Sequence, residues 1–229
     1  MNSLPLVIFL DVNETLLDLR PVKAEIEKWL PGQSSLWFSR LLHYSLVASA
    51  GGQYRPFGEI GKAVLQMLAV ENKKELSTFE IEGIVSGFAR LPAHPEVEPA
   101  LARMAAHKLR LYTLTNSPLS TVKAQMQYNG LDKYLTDIWS IEAVQCYKPQ
   151  PQTYQWACRQ AGVRPEDAMI VAAHGWDVAG ALWAGLRSVF VHRPGQSLYP
   201  LAPLPEATVG NFSELCTYLG LEASPKART

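Results

Sequence analysis

The apolar run Leu4–Leu10 stops abruptly at a carboxylate, Asp11, in the stretch FLDVNETLLD. A carboxylate can attack an sp³ carbon in line, expel a leaving group and form an ester with the enzyme. Three other apolar runs also end on chemically able groups. Leu109–Thr115 leads into the hydroxyl-amide pair Thr115 and Asn116, Asp137–Ile141 is followed by Lys148 in CYKPQPQTY, and Ala168–Ala172 leads into AHGWD, with His174 and Asp177. A lysine beside a carboxylate keeps it ionised and attracts an anionic substrate. A histidine with its ordinary pKa near 6.5 is a general base at neutral pH. Each residue has a plainer reading: a strand-end Asp capping a turn, a surface Lys before proline, a Thr-Asn turn with local hydrogen bonds, an Asp favoured by a helix N-terminus. It is the convergence of four strand ends that favours chemistry.

These residues need elements that bring them together. The runs Leu6–Leu10, Leu109–Thr115, Asp137–Ile141, Ala168–Ala172, Ser188–Val191 and, more weakly, Ala207–Val209 read as buried strands. Helical patterns cover Pro95–His107, Ser120–Asn129, Gln152–Ala161, Asp177–Ala184 and Asn211–Leu219. Strand alternating with helix implies βαβ units and a parallel sheet. In such a sheet ligands bind outside the carboxyl ends of the strands, where these residues lie. Between residues 19 and 93 the rhythm breaks: Val22–Leu30, Ser34–Ala50, Gly58–Val70 and Ser77–Arg90 read as helices with no strand between. The expected organisation is an α/β core from residues 1–18 and 94–222, an all-helical insertion over 19–93 and a disordered tail at 223–229.

The 229 residues carry 21 basic and 21 acidic side chains, so nothing in the charge suggests nucleic acid or an anionic membrane as partner. No apolar run reaches the roughly 18 residues of a spanning helix, and the N-terminal run does not read as a signal peptide. Three widely spaced cysteines, Cys146, Cys158 and Cys216, fit a reducing, cytoplasmic setting better than disulfides or zinc.

With four strand-end motifs in this order and a helical insertion, the chain resembles the haloacid dehalogenase superfamily over essentially its whole length. Within it, Trp176-Asp177 in a VxxxxWDVxGA context and the KPxPxxY segment from Lys148 to Tyr154 look most like the 2-haloacid dehalogenase branch. The resemblance implies a Rossmann-like core with a helical cap and a metal-independent, cofactor-free hydrolysis of short (S)-2-haloalkanoic acids to (R)-2-hydroxy acids and halide. It makes Asp11 the nucleophile, with Lys148 and Asp177 beside it and Tyr154 orienting the cluster. Thr115 would hold the substrate carboxylate and Asn116 the leaving halide. Trp176, Phe57 and Leu42 would wall an apolar pocket, Val12 joins the substrate-facing set, and Thr15 would fix the Asp11 rotamer. The implied partners are a small 2-haloacid and a second copy of the chain.

The chain departs from the family pattern at informative places. The superfamily is mostly phosphatases, which place an acid two residues after the nucleophile and a metal-binding carboxylate in the fourth motif. Here those positions are Asn13, which cannot act as a general acid, and Ala173, which removes one of the few oxygen ligands a hard cation needs. Halide leaves unprotonated, so dehalogenation requires neither. Ala172 and His174 stand where close relatives have Ser and Asn, and Glu14 replaces a Gly. This pairing suggests that Glu14 orients His174, which takes the proton of the hydrolytic water. Phe38 occupies the position after the cap Trp37 where the family has a halide-binding Arg. Either Arg40, on another face of that helix, reaches the site, or halide is held by Asn116 and aromatic edges. A Mg²⁺-dependent phosphatase and a catalytically weakened anion-binding protein of this fold remain the alternatives.

Overall fold

The run Val-Ile-Phe-Leu has no exposed residue and forms a strand, β1 (Val7–Leu10), buried on both faces. The computed structural model describes residues 3–221. After β1 come four helices: α1 (Arg20–Trp29), α2 (Ser34–Ala50), α3 (Phe57–Glu71) and α4 (Thr78–Ser86). The chain then alternates through α5 (Val97–Ala106), β2 (Arg110–Thr115), α6 (Leu119–Tyr128), β3 (Asp137–Ser140), α7 (Pro151–Ala161), β4 (Ala168–Ala172), α8 (Gly175–Trp183), β5 (Arg187–Val191), β6 (Ala207–Val209) and α9 (Phe212–Tyr218). The six strands form one sheet in the order β3-β2-β1-β4-β5-β6, and every pairing is parallel.

This order places the site. The chain runs outward from β1 through β2 and β3 on one side, and through β4, β5 and β6 on the other. The reversal falls between β1 and β4, which opens a crevice at their carboxyl ends. Leu10 lies level with Thr113 and Val171, so Asp11 emerges beside the ends of β2 and β4.

The sequence periodicity and the structure agree on the elements, with end shifts of up to a few residues, two of which have a clear packing cause. The helix expected over Ser77–Arg90 gives way at Gly87 to a 3-10 turn, Gly87–Arg90, that follows α4. A Cβ on Gly87 would approach Val22 of α1 to 3.2 Å, so the close packing of these segments uses the glycine. Helix α8 starts at Gly175 rather than Asp177, with His174 as its N-cap. A Cβ on Gly175 would lie 2.2 Å from the Ser197 carbonyl oxygen, so only glycine admits that loop against the start of α8.

The helical segment is packed around Trp37, which is fully buried and donates from Nε1 to the Gly61 carbonyl at 3.0 Å. The two crossings of the chain between this segment and the sheet run side by side. Leu17 and Ala93 form an antiparallel bridge, and Asp18 N–H donates to the Pro92 carbonyl at 2.8 Å. Tyr147 Oη donates to the Arg55 carbonyl at 2.7 Å, and Gln125 Nε2 to that of Phe88 at 2.9 Å, tying the segment to the core. Among the described residues no helix is long and apolar enough to cross a membrane. The tail expected at 223–229 lies outside the described residues.

Candidate active site

Asp11 is 4% exposed, and both of its oxygens are engaged. Lys148 Nζ donates to Oδ1 at 3.0 Å, Thr15 Oγ1 donates to Oδ2 at 2.7 Å, and His174 Nδ1 lies 3.0 Å from Oδ2. Burial alone would raise the carboxyl pKa. The Lys148 charge, the His174 ring and the Thr15 hydroxyl outweigh it and hold Asp11 well below the usual carboxylate range. Thr15 is itself fixed by the Ala173 N–H, which donates to its hydroxyl at 2.9 Å, and by Arg193, which donates to its carbonyl at 2.9 Å.

Lys148 is fully buried and has three acceptors: Asp11, the Leu114 carbonyl at 2.7 Å and Asp177 Oδ2 at 2.5 Å. Desolvation would lower its pKa, but the two carboxylates hold it protonated. Tyr154 Oη donates to Asp177 Oδ1 at 2.5 Å, so the phenol fixes the carboxylate that fixes the lysine. Burial, with the nearby Asp11 charge, pushes Asp177 upward despite Lys148. This chain of buried groups leaves no polar head in it without a partner.

His174 corrects one expectation. The sequence alone implies a neutral base with an ordinary pKa. Its Nε2 lies 3.1 Å from Glu14 Oε2, so the two residues do meet, but the ring is clamped between two carboxylates. Burial would lower its pKa, but hydrogen bonds and charge from Asp11 and Glu14 raise it to about 9. In the resting site His174 is therefore an imidazolium donating from both nitrogens, and a cation cannot accept a proton.

Glu14 has a φ of 59°, in the left-handed region. That conformation costs a non-glycine residue roughly 1–2 kcal/mol. Its carboxylate is held by three donors: His174, Lys23 at 2.5 Å from α1 and Gln196 Nε2 at 2.9 Å. Burial would raise its pKa, yet the bonds from His174 and Lys23 keep it below the ordinary value.

The aromatic surroundings come from both layers. The Trp176 ring stacks on His174 at 5.0 Å between centroids and lies 5.8 Å from Lys148 Nζ. Phe38, from α2, meets His174 from the other layer at 6.1 Å, with Lys23 Nζ 5.6 Å from its ring. Asn116 is 7% exposed and accepts the Lys148 backbone N–H at 3.1 Å. The Thr115 hydroxyl accepts the Ser117 N–H at 3.2 Å, the local turn that was the plainer reading of this pair. Asn13 points away from Asp11, donating to Ser117 Oγ at 2.9 Å and accepting from Gln125 at 3.1 Å.

Three residues expected at the pocket make contacts of their own. Arg40 donates to both Glu71 oxygens at 2.7 Å on the outer face of α2 and α3, so its charge is committed away from Asp11. Leu42 is half-buried against the apolar core, while its neighbour Leu41, turned about 100° on the helix, lines an apolar crevice of about 30 Å³ with Phe57 and Ser117. Val12 is fully buried, and its carbonyl accepts from the Leu16 and Leu17 N–H groups. Lys23, Gln196 and Arg193 were missed. No local pattern marks them: Lys23 reaches Glu14 from α1, and Gln196 and Arg193 come from the distant loop after β5.

Magnesium does not fit this donor set. Each Asp11 oxygen faces a cationic donor, Asp177 is shared between Lys148 and Tyr154, and Ala173 contributes no side-chain oxygen.

A parallel α/β sheet with an ionised, buried aspartate at its switch point, covered by an inserted set of helices, defines a class of hydrolytic enzymes that work through a carboxylate. A family model described as haloacid dehalogenase-like hydrolase matches residues 6–185, and the chain belongs to that family. It is 28% identical to (S)-2-haloacid dehalogenase 4A of Burkholderia cepacia over 99% of this chain and 100% of the relative. It is 27% identical to haloacetate dehalogenase H-2 of Moraxella sp. (strain B) over 91% of this chain and 95% of that one. The solved L-2-haloacid dehalogenase RSc1362 superimposes with a TM-score of 0.89 at 26% identity, covering 96% of this chain and 100% of its own.

Proposed function

We propose that this protein hydrolyses short (S)-2-haloalkanoic acids to (R)-2-hydroxy acids and halide through an ester on Asp11. The observation that carries the reading is the state of Asp11: a buried anion at a strand end, flanked by the ammonium of Lys148 and the imidazolium of His174. Such a carboxylate is ready to displace halide from carbon. Attack from the side opposite the halide inverts C2. Residues 19–93 act as a cap: Asp11 is buried in the observed state, so substrate entry requires this segment to move, and its closure excludes water. The flanking cations and the Thr115-Asn116 turn receive the substrate carboxylate and the halide.

The second step uses the first to prepare its base. Once Asp11 is an ester, its negative charge is gone and one of the two influences holding a proton on His174 disappears. His174 can then become neutral and, oriented by Glu14, take a proton from the water that attacks the ester carbonyl. Collapse of the tetrahedral adduct delivers the hydroxy acid and restores the Asp11 carboxylate.

The test is halide release from the two enantiomers of 2-chloropropionate, with and without EDTA, using Asp11→Asn as control. The reading expects (S)-selective, EDTA-insensitive release and a drop of at least about 10³-fold in Asp11→Asn. EDTA-sensitive phosphate release from p-nitrophenyl phosphate, with no halide release, would instead establish the phosphatase alternative. The committed Arg40 and the Phe38 roof favour a weaker grip on halide than a cationic cap residue would give. Absence of any ester on Asp11 after incubation with haloacetate would make the protein an anion binder. We further place it in a reducing cytoplasm, consistent with its free cysteines, and as a homodimer through apolar side chains exposed on α2, such as Leu36, Leu46 and Val47.

A further inference from the structure

Asp11 opens a short loop that leads directly into the inserted helices, so whatever moves those helices pulls on the nucleophile. Within that loop Glu14 stands at a φ of 59°. It borders an open cavity of about 530 Å³ between α1 and the segment after β5, so packing alone does not hold the turn in place. A strained backbone persists only where its surroundings over-determine it. The next residue, Thr15, supplies the hydroxyl that donates to Asp11 Oδ2 at 2.7 Å. Its buried carbonyl receives two N–H groups of one guanidinium, Arg193 Nη2 at 2.9 Å and Nε at 3.3 Å.

Arg193 is built into the core. It is 8% exposed and follows His192, whose N–H extends the β5–β6 ladder to the Val209 carbonyl at 2.7 Å. Its guanidinium lies 5.9 Å from the ring of buried Phe212. The other arm, Nη1, is ion-paired with Glu96 Oε1 at 2.8 Å. Thr15 belongs to the outgoing crossing of the chain, and Glu96, the N-cap of α5, to the returning one. Farther from the sheet the crossings are joined again, by the Leu17–Ala93 bridge and by His94 N–H on the Leu16 carbonyl at 3.0 Å. A buried ion pair is weak evidence for stability, because apolar packing often serves as well. What a guanidinium adds is a rigid fork of fixed directions.

We propose that Arg193 is a positioning residue for this reaction: it clamps the Thr15 carbonyl and Glu96, one on each crossing, so that Asp11 keeps its attack geometry while the inserted helices open and close. The inference rests on the dehalogenase reading. The clamp acts through Thr15, whose hydroxyl sets the Asp11 rotamer. With the carbonyl released, the turn at Glu14 relaxes toward the cavity and the carboxylate turns out of line with the carbon–halogen bond. Substrate still binds, but attack slows.

The test is a double-mutant cycle read in the first turnover, with (S)-2-chloropropionate and rapid quench for halide. Arg193→Lys keeps the positive charge but not the fork, and is expected to slow halide release at saturation by about 10- to 100-fold. Half-saturation should stay within about 2-fold of the wild type, since the lost interaction serves attack and not binding. Thr15→Val deletes the hydroxyl through which the clamp acts. In that background Arg193→Lys is expected to change the rate by less than about 3-fold. A residue that only stabilised the fold would give equal losses in both backgrounds, and equal losses overturn the proposal, as does wild-type halide release in Arg193→Lys. Should Arg193→Lys not fold, Glu96→Gln carries the cycle by loosening the other arm, with an expected loss of about 3- to 10-fold that again vanishes in Thr15→Val. An unchanged rate in Glu96→Gln overturns the clamp equally. No halide from the wild type would instead overturn the dehalogenase reading beneath it.

Discussion

Asp11 owes its charge to partners 137 and 163 positions away in the chain, Lys148 and His174. At this scale each group is defined by what its neighbour carries. Replacing Lys148 with Met removes the only cation shared by Asp11 and Asp177 among their described partners, leaving two carboxylates buried together. A loss of about 3–5 kcal/mol in urea unfolding at pH 7 is expected, with Asp11 left to His174 and Thr15 alone among the groups that lower its pKa. The pH dependence of stability has a sign fixed by His174. Its folded pKa, about 9, exceeds the ordinary 6.5, so its contribution is complete below pH 6.5 and is lost as pH rises toward 9. The shift corresponds to on the order of 3 kcal/mol as an upper bound. His174→Asn should flatten the unfolding free energy across that window, and an unchanged slope would refute the clamped imidazolium. Asp11 and Glu14 act in the opposite direction: their lowered values add stability that disappears as the solution is acidified through their folded pKa values.

Elements set the distances within which those charges act. The loop carrying Lys148 rests on α8 at Gly180, where a Cβ would fall 2.4 Å from Pro149 Cβ and 2.8 Å from Tyr154 Oη. Alanine would improve the intrinsic helix preference by about 1 kcal/mol. Overpacking against a loop that continues into Lys148 costs about 1–3 kcal/mol, so Gly180→Ala is expected to lower both the urea midpoint and kcat. A stabilised, fully active variant would show that this contact does not position the lysine. The elements themselves were legible in the sequence: short apolar runs alternating with helical patterns imply strands of a parallel sheet, and their ends named Asp11, Thr115, Lys148 and His174 together, although the edge strand β3 is only partly buried. What the pattern could not give was orientation on helices. Arg40 and Leu42 share α2 with Phe38 and Leu41, and only packing against α3 decides which of them face inward and which meet Glu71 or the outer surface.

On the scale of the whole molecule, polar ties from several places join the helical segment to the sheet layer. Tyr147 is one: its hydroxyl reaches the Arg55 carbonyl, and its ring packs on Phe57 at 6.0 Å. Tyr147→Phe should cost about 1 kcal/mol and speed hydrogen exchange in residues 51–57 more than in β1. Uniform exchange across both would mean that this bond does not help hold the segment closed. The sequence by itself determined the alternation of strand and helix, the inserted helices and which strand ends carry reactive groups, because burial periodicity and turn chemistry are local. It also brought Glu14 and His174 under suspicion as a pair. Only the tertiary structure decided that His174 rests as a cation, that Arg40 is committed elsewhere and that Glu14 borders an open cavity. Charge state and solvent access depend on groups arriving from α1, α8 and the loop after β5 at distances of about 3 Å, and no linear pattern records where those three converge.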